Sequence, residues 1–348
     1  MRLLVTGGAG FVGSHVAEYY AKKGDEVICY DNLSRANLLK RAIDSLYNWN
    51  YLKGFPNVKL INGDVRDLEE LKKAAKNVDV IIHAAAQTAV TTSIEDPKTD
   101  FEVNALGTFN VLEAARLSDS DPVIIYCSTN KVYGENVNKV GVVEKETRYV
   151  FEENFKKGIA ENFLIDLCEH TPYGCSKLSG DLYVQDYGHL YNLKTGVFRM
   201  SCTYGTRQFG VEDQGWVAWF AIATLLGQPI TIYGDGKQVR DVLYADDLIR
   251  AFDLFINSDL KQEVFNIGGG PENTLSLVEL LDLLEELTGK RSEIKFAPWR
   301  PSDQKVYISD ISKVKQSLNW EPRVDPEQGV RNLVAWVQGN KDALMGKD

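Results

Sequence analysis

Leu3-Leu4-Val5-Thr6-Gly7-Gly8-Ala9-Gly10-Phe11-Val12-Gly13-Ser14-His15-Val16-Ala17-Glu18-Tyr19-Tyr20 is the stretch that decides the fold. The short apolar run reads as a strand, the glycines as a turn, and the residues after Gly13 as a helix of 3.6-residue periodicity. Glycines at 7, 10 and 13 allow the tight turn, let the backbone approach a pyrophosphate, and let helix pack closely on strand. The helix start adds amides and a favourable dipole for an anion. Gly7, Gly10, Phe11, Val12 and Gly13 are therefore expected to contact a dinucleotide.

Downstream, Gly24-Asp25 makes a turn and Glu26 to Tyr30 reads as a second strand that ends in Asp31. An acid at that place accepts hydrogen bonds from ribose hydroxyls and repels a 2′-phosphate, which favours NAD over NADP. Arg35 keeps the second cofactor open. Asn32, Ser34 and Arg35 lie in the same loop and are further candidate contacts.

The pattern repeats. Val58 to Ile61 is a strand followed by Asp64-Val65, and Val78 to His83 is another followed by Ala84-Ala85-Ala86. Alternating strands and helices imply an α/β fold, a doubly wound parallel sheet of the Rossmann type. Ligands belong at the carboxyl ends of such strands. Asp64 and Val65 would border an adenine, and the small side chains at 84 to 86 would let the cofactor lie close. His83 reads as a buried strand-end histidine. A helix spans Asn104 to Ala115, and a strand from Val123 to Cys127 delivers Ser128-Thr129-Asn130-Lys131.

Tyr173-Gly174-Cys175-Ser176-Lys177 supplies chemistry. On a helix, Tyr173 and Lys177 share one face. A phenol is a poor base at neutral pH, and an ammonium and an oxidised nicotinamide nearby are expected to lower its pKa. Tyr173 would then take a proton from a sugar hydroxyl.

Composition narrows the partners. A chain of 348 residues with net charge −10 has room for a large core and no basic face for nucleic acid. No run of ~18 apolar residues occurs, and the first residues enter a strand with no secretory leader, so a soluble, cytoplasmic protein without membrane contact is expected. Five scattered cysteines read as reduced, mostly buried thiols. The four histidines form no cluster, and no metal is expected.

Taken together, the glycine turn, Asp31, Asp64-Val65, Ala84 to Ala86, Ser128-Thr129 and Tyr173 with Lys177 occur in the order of the extended short-chain dehydrogenase/reductases, and the chain resembles their nucleotide-sugar epimerases and dehydratases. Later segments agree: Phe198-Arg199, Tyr204-Gly205, Ile232 to Gly236, Val239 to Val242 and Arg300 to Gln304. The resemblance implies a catalytic set of Thr129, Tyr173 and Lys177. It further implies cofactor contacts from Asn104, Ser128, Arg199 and Lys177, and diphosphate contacts from Arg240 and Arg300.

In the dehydratases of that family an Asp and a Glu follow the catalytic Thr, where this chain has Asn130 and Lys131. An amide exchanges no proton and an ammonium is a poor base, so dehydration is disfavoured. The 128–134 stretch, the insert before Tyr173, and Arg207-Gln208 with Gln214 and Trp216 resemble the CDP-paratose 2-epimerases, also called CDP-tyvelose epimerases. Gln87, Thr129, Asn130, Lys131, Cys202, Arg207, Gln208, Gln214 and Trp216 are thus expected to meet substrate, Cys202 departing from the polar residue usual in relatives. The insert is expected to form a flap over the sugar.

The implied reaction is NAD-dependent epimerisation of a nucleotide-diphosphate sugar, at C2 of a CDP-hexose, through a 2-keto sugar. UDP-sugar 4-epimerisation is the nearest alternative, and a noncatalytic NAD-sensing regulator a remote one. The nucleotide-binding domain is expected at 1–198 plus 231–268, a smaller C-terminal α/β substrate-binding subdomain at 199–230 plus 269–338, and a polar tail at 339–348. Helices near 105 to 115 and 178 to 190 resemble those of a dimer interface, so a homodimer or dimer of dimers is expected.

Overall fold

The computed structural model describes residues 1–35, 46–300 and 302–345; Pro301 of the Arg300 motif and residues 346–348 of the tail lie outside the described residues. Two compact units emerge, each built from separated segments.

Unit 1 comprises 1–132, 171–199 and 249–265. Its seven-stranded sheet contains β1 (Arg2–Thr6), β2 (Glu26–Asp31), β3 (Val58–Asn62), β4 (Val80–His83), β5 (Val123–Thr129), β6 (Thr195–Met200) and β7 (Gln262–Ile267), ordered β7-β6-β5-β4-β1-β2-β3. β1 pairs in parallel with both β2 and β4, β2 with β3, and β4 with β5. Because such strands are covered on both faces, they read as continuous apolar runs rather than alternations. Leu3, Leu4, Val5, Ile81, Ile82, Ile124 and Ile125 are accordingly buried. Helix Phe11–Lys22 follows the glycine turn and stops at Gly24, whose φ of +88° suits the left-handed exit. Leu71, Val111, Leu112 and Ala115 from flanking helices pack on Leu4, Ile28 and Ile124.

Unit 2 comprises 133–170, 200–248 and 266–348. Strand Val239–Tyr244 runs antiparallel to Thr274–Ser276 and parallel to Val306–Tyr307 and Cys202–Tyr204. Those pairings place 231–248 here rather than in the nucleotide-binding domain. Helix Leu277–Thr288 starts from a capping box of Ser276 and Glu279, and Trp320 is fully buried, its indole donating to the Asp247 carbonyl at 2.9 Å. Residues 341–344 of the expected polar tail form a short helix.

The insert 133–170 also belongs to unit 2, and it is not a free-standing flap. Ile159 bridges Ser309, and its carbonyl accepts from Asp310 at 2.9 Å and Asn266 at 2.7 Å. The hairpin Val142–Glu144 and Tyr149–Phe151 is tied by Tyr149 to Asp235 and by Arg148 to Glu279. Backbone groups satisfied by those partners hold it in place.

The cysteines form no disulfide, but only Cys29 and Cys127 are buried. Cys168 and Cys202 are half-buried and Cys175 is exposed, because it occupies the outward face of the helix whose inward face carries Ser176 and Lys177. Among the described residues no helix is long and apolar enough to cross a membrane, and no three His, Cys, Asp or Glu side chains cluster to hold a metal.

Candidate active site

Helix Thr171–Tyr191 carries Tyr173 and Lys177 one turn apart, and β5 ends in Thr129 beside them. Pro172 suits a first helical turn, where a missing N–H costs nothing. Thr171 takes a φ of +63°, an uncommon conformation for a β-branched residue, immediately before the catalytic turn. The Tyr173 phenol faces the Thr129 hydroxyl. Lys177 is buried; its ammonium donates to the Cys127 carbonyl at 2.7 Å and lies 4.2 Å from the centre of the Tyr126 ring.

Burial pushes the Tyr173 phenol up to about 12, with Asp100 and Cys127 adding to the rise and the Thr129 hydroxyl opposing it. The chain by itself therefore holds the phenol protonated; the expected lowering calls for the oxidised nicotinamide as well as Lys177. Burial likewise brings Lys177 down to about 8, against the pull of Cys127, Asp181 and Asp100. Both shifts follow from removing a charge from water.

The glycine turn fits a dinucleotide. Gly7 has a φ of +72°, and a Cβ there would stand 2.6 Å from the Ala85 nitrogen. A Cβ on Gly13 would come within 2.1 Å of the Gly7 carbonyl oxygen. No larger residue leaves this approach of helix, turn and strand intact. Phe11 and Val12 open the helix, and Gly10 donates to the Gly7 carbonyl at 3.0 Å. Asp31, at the end of β2, accepts from the Ala9 amide at 3.0 Å and the Leu33 amide at 2.8 Å, and burial raises its pKa. Asn32 donates to Asp64 at 2.9 Å, and its side-chain oxygen accepts from the Ser34 amide. Arg66 grips Asp64 and holds its carboxyl down at about 2. Arg35 is half-buried, and Val65 is buried below the loop. Ala84, Ala85 and Ala86 follow β4, with the Ala84 amide bonded to the Thr6 carbonyl.

Ser128 and Arg199, both expected at the cofactor, turn instead to Asp181. Ser128 donates to that carboxylate at 2.7 Å, and Arg199 at 3.0 and 3.1 Å. Asn104 lies in a π-helical turn, Glu102–Leu106, ahead of helix Gly107–Arg116. Such widened turns often mark functional sites. Its amide donates to the Gln87 carbonyl and to Asp100, and accepts from the Gln87 amide. Gln87 is buried and points inward, donating to Asp100 and the Ala89 carbonyl at 2.9 Å each. His83 is confirmed as structural. Thr108 spends its proton on the Asn104 carbonyl, so His83 Nε2 donates to Thr108 at 3.0 Å and Nδ1 accepts from Thr6 at 2.7 Å.

Asn130 accepts from the Thr129 hydroxyl at 3.3 Å, and the Lys131 amide donates to the same oxygen at 3.2 Å. The other expected substrate residues lie in unit 2. There the Trp216 indole donates to the Cys202 thiol at 3.3 Å, and Gln208 donates to the Thr203 carbonyl. Arg207 is buried with a φ of +57°, and Gln214 exchanges backbone bonds with Val211. Arg240 pairs with Asp303 at 2.6 Å; Arg300 pairs with Asp213 at 2.7 Å and stacks 3.9 Å from the Tyr233 ring.

Sequence reasoning overlooked Asp100, Ser176 and Asp181. The signal was there: Asp181 repeats the four-residue step from Tyr173 to Lys177, and Asp100 lies four before Asn104.

A family model described as GDP-mannose 4,6 dehydratase matches residues 4–333. The CDP-paratose 2-epimerase of Salmonella typhi is 42% identical over 346 residues, which cover 97% of this chain and 99% of that one. Among solved structures, the Thermotoga maritima UDP-glucose 4-epimerase with UDP-glucose superposes with a TM-score of 0.80 at 31% identity, covering 98% of this chain and 100% of that one. A mutant of the Bacillus cereus UDP-glucuronic acid 4-epimerase, in complex with a fluorinated UDP-sugar and NAD, gives 0.80 at 27% identity, covering 97% and 99%.

Proposed function

Since the chain belongs to the GDP-mannose 4,6-dehydratase family of extended short-chain dehydrogenase/reductases, we propose that it epimerises a nucleotide-diphosphate sugar at C2, with a CDP-hexose as substrate and NAD as recycled cofactor. One observation carries the restriction to epimerisation: Thr129, Tyr173 and Lys177 stand together while Asn130, not a carboxylic acid, holds the Thr129 hydroxyl. The preference for C2 and for cytidine rests on the 42% identity to the Salmonella typhi enzyme. Asp31 at the end of β2 supports NAD.

In this reading Thr129 orients the carbinol hydroxyl toward Tyr173, which removes its proton as general base. Lys177, anchored on the Cys127 carbonyl, offsets the phenolate charge. The glycine turn and Asp31 would hold NAD, which would supply the hydride acceptor at C2 and the donor for its return. The 2-keto sugar then offers its opposite face, and Tyr173 returns the proton to the ketone oxygen, so protons and electrons balance with no net oxidation. Asn130 and Lys131 provide no carboxyl to expel water. Arg240 and Arg300 would exchange their Asp303 and Asp213 partners for diphosphate oxygens, a fork geometry that guanidinium suits.

We also propose a homodimer through one face of unit 1. Helix Thr171–Tyr191 exposes Leu182, Tyr183 and Leu190, the last at 67%, and Phe101 is exposed at 58%. Large apolar side chains exposed on this helix support an interaction surface there.

Carbon-resolved NMR of CDP- and UDP-hexoses incubated with the purified chain tests the activity. Inversion at C2 of a CDP-sugar supports it. Inversion at C4 of a UDP-sugar assigns the alternative, and turnover of neither sinks both.

A further inference from the structure

Asp100 is a carboxylate with no exposed surface that no step above uses. It sits on helix Pro97–Phe101, immediately before the π-helical turn that carries Asn104. Its oxygens accept from the Ser176 hydroxyl at 2.6 Å, the Gln87 amide at 2.9 Å and the Asn104 amide at 3.1 Å. All three donors are neutral, so the charge is solvated by dipoles but not neutralised. Burying an unpaired carboxylate is strongly unfavourable. The second buried acid nearby, Asp181, differs: Arg199 matches it directly. What remains is one buried anion, Asp100, and one buried cation, Lys177, whose ammonium rests on a carbonyl. Ser176, the residue Asp100 grips, precedes Lys177 and follows Tyr173 by one turn.

We propose that Asp100 is the counter-charge of the catalytic pair, a positioning residue whose buried anion, rather than its bond to Ser176, sets the pH range in which Tyr173 releases its proton and Lys177 keeps its own. The groups facing Tyr173 are Thr129, Asp100, Cys127 and the Tyr126 phenol. Those facing Lys177 are Cys127, Asp181, Asp100, the Tyr126 ring and neutral His83. A nearby anion disfavours phenolate and favours ammonium, so removing it moves both equilibria toward lower pH. A residue that only braced the helix would lower the rate and leave both equilibria in place.

Asp100→Asn keeps an acceptor for Ser176 and removes the charge. Ionisation of Tyr173 is read, without substrate, as the ultraviolet phenolate absorbance of the chain minus that of its Tyr173→Phe counterpart. The midpoint should fall in Asp100→Asn and in a second uncharged variant, Asp100→Thr. Both limbs of the kcat/KM profile should move to lower pH, so the variant-to-parent rate ratio rises roughly three- to tenfold from the plateau down the acid limb. Ser176→Ala, which cuts the tie but keeps the charge, should leave the limbs unmoved. An unmoved phenol midpoint in the uncharged variants, or the same shift in Ser176→Ala, overturns the proposal. In the unaltered chain, substantial Tyr173 phenolate below about pH 10, the value of an unperturbed tyrosine, also overturns it. The limbs rest on the proposed epimerase activity, whereas the phenol titration needs no substrate and separates failure of the one from failure of the other.

Discussion

Arg199→Met isolates what the Asp181 cluster does. Asp181 is fully buried and accepts from Ser128 at 2.7 Å, Gln185 at 2.6 Å and Arg199 at 3.0 and 3.1 Å. Removing the guanidinium deletes two of these four bonds and the cation that contacts the carboxylate directly, leaving two neutral donors on its oxygens. Breaking one side of a buried ion pair costs about 3–5 kcal/mol. For a chain of this size that corresponds to a fall in Tm on the order of 4–7 °C. Scanning calorimetry measures it, and titration with NAD measures the cofactor separately. The double variant Asp181→Leu with Arg199→Met should lose much less than the two single losses added, because no charge is stranded. A single Arg199→Met variant that keeps its Tm while losing NAD would refute this account and return Arg199 to the cofactor.

Gly13→Ala places a Cβ 2.1 Å from the Gly7 carbonyl oxygen, backbone on both sides, so helix and turn must separate; a loss of about 1–3 kcal/mol and of NAD binding is expected by thermal melts and fluorescence titration. His83 is held neutral, burial lowering its pKa to about 3. An unfolded histidine binds its proton near 6.5, so between these values the unfolded chain binds more protons and stability falls as pH drops. His83→Asn should flatten that part of the stability profile measured by urea melts, and an unchanged slope would count against a neutral buried ring. Leu190→Glu on the exposed helix face should yield a monomer by light scattering, whereas a parent chain that is itself monomeric removes the dimer.

The nucleotide half was legible because its signals are local. A strand, three glycines and a helix follow one another in sequence, and β1 to β5 lie within a residue or two of where their apolar runs place them. Tyr173 and Lys177 were legible for the same reason, their spacing being a property of one helix. The unit boundary was not, because 133–170 and 239–244 are tied to residues remote in sequence, among them 202–204, 266, 274–276 and 306–310. The bonds of Ser128 and Arg199 to Asp181 were not legible, because a hydroxyl and a guanidinium suit a ligand as well as a carboxylate far along the chain. Spacing reveals the ammonium near Tyr173 but not the burial or the Asp100 charge, which raise its pKa in the chain by itself.

The interleaving of the two units also dictates how the chain must be made. β7, the edge strand beside β6, is supplied by residues 262–267, so a chain emerging from the ribosome carries an unpaired β6 edge until that point. The insert 133–170 waits longer still, for Asn266 and Ile308 to Asp310. Neither half can finish before most of the polypeptide exists, which implies slow, late and mutually dependent maturation with an aggregation-exposed sheet margin. Any break in translation before Phe265 leaves both halves incomplete, and neither can be transplanted as one continuous piece.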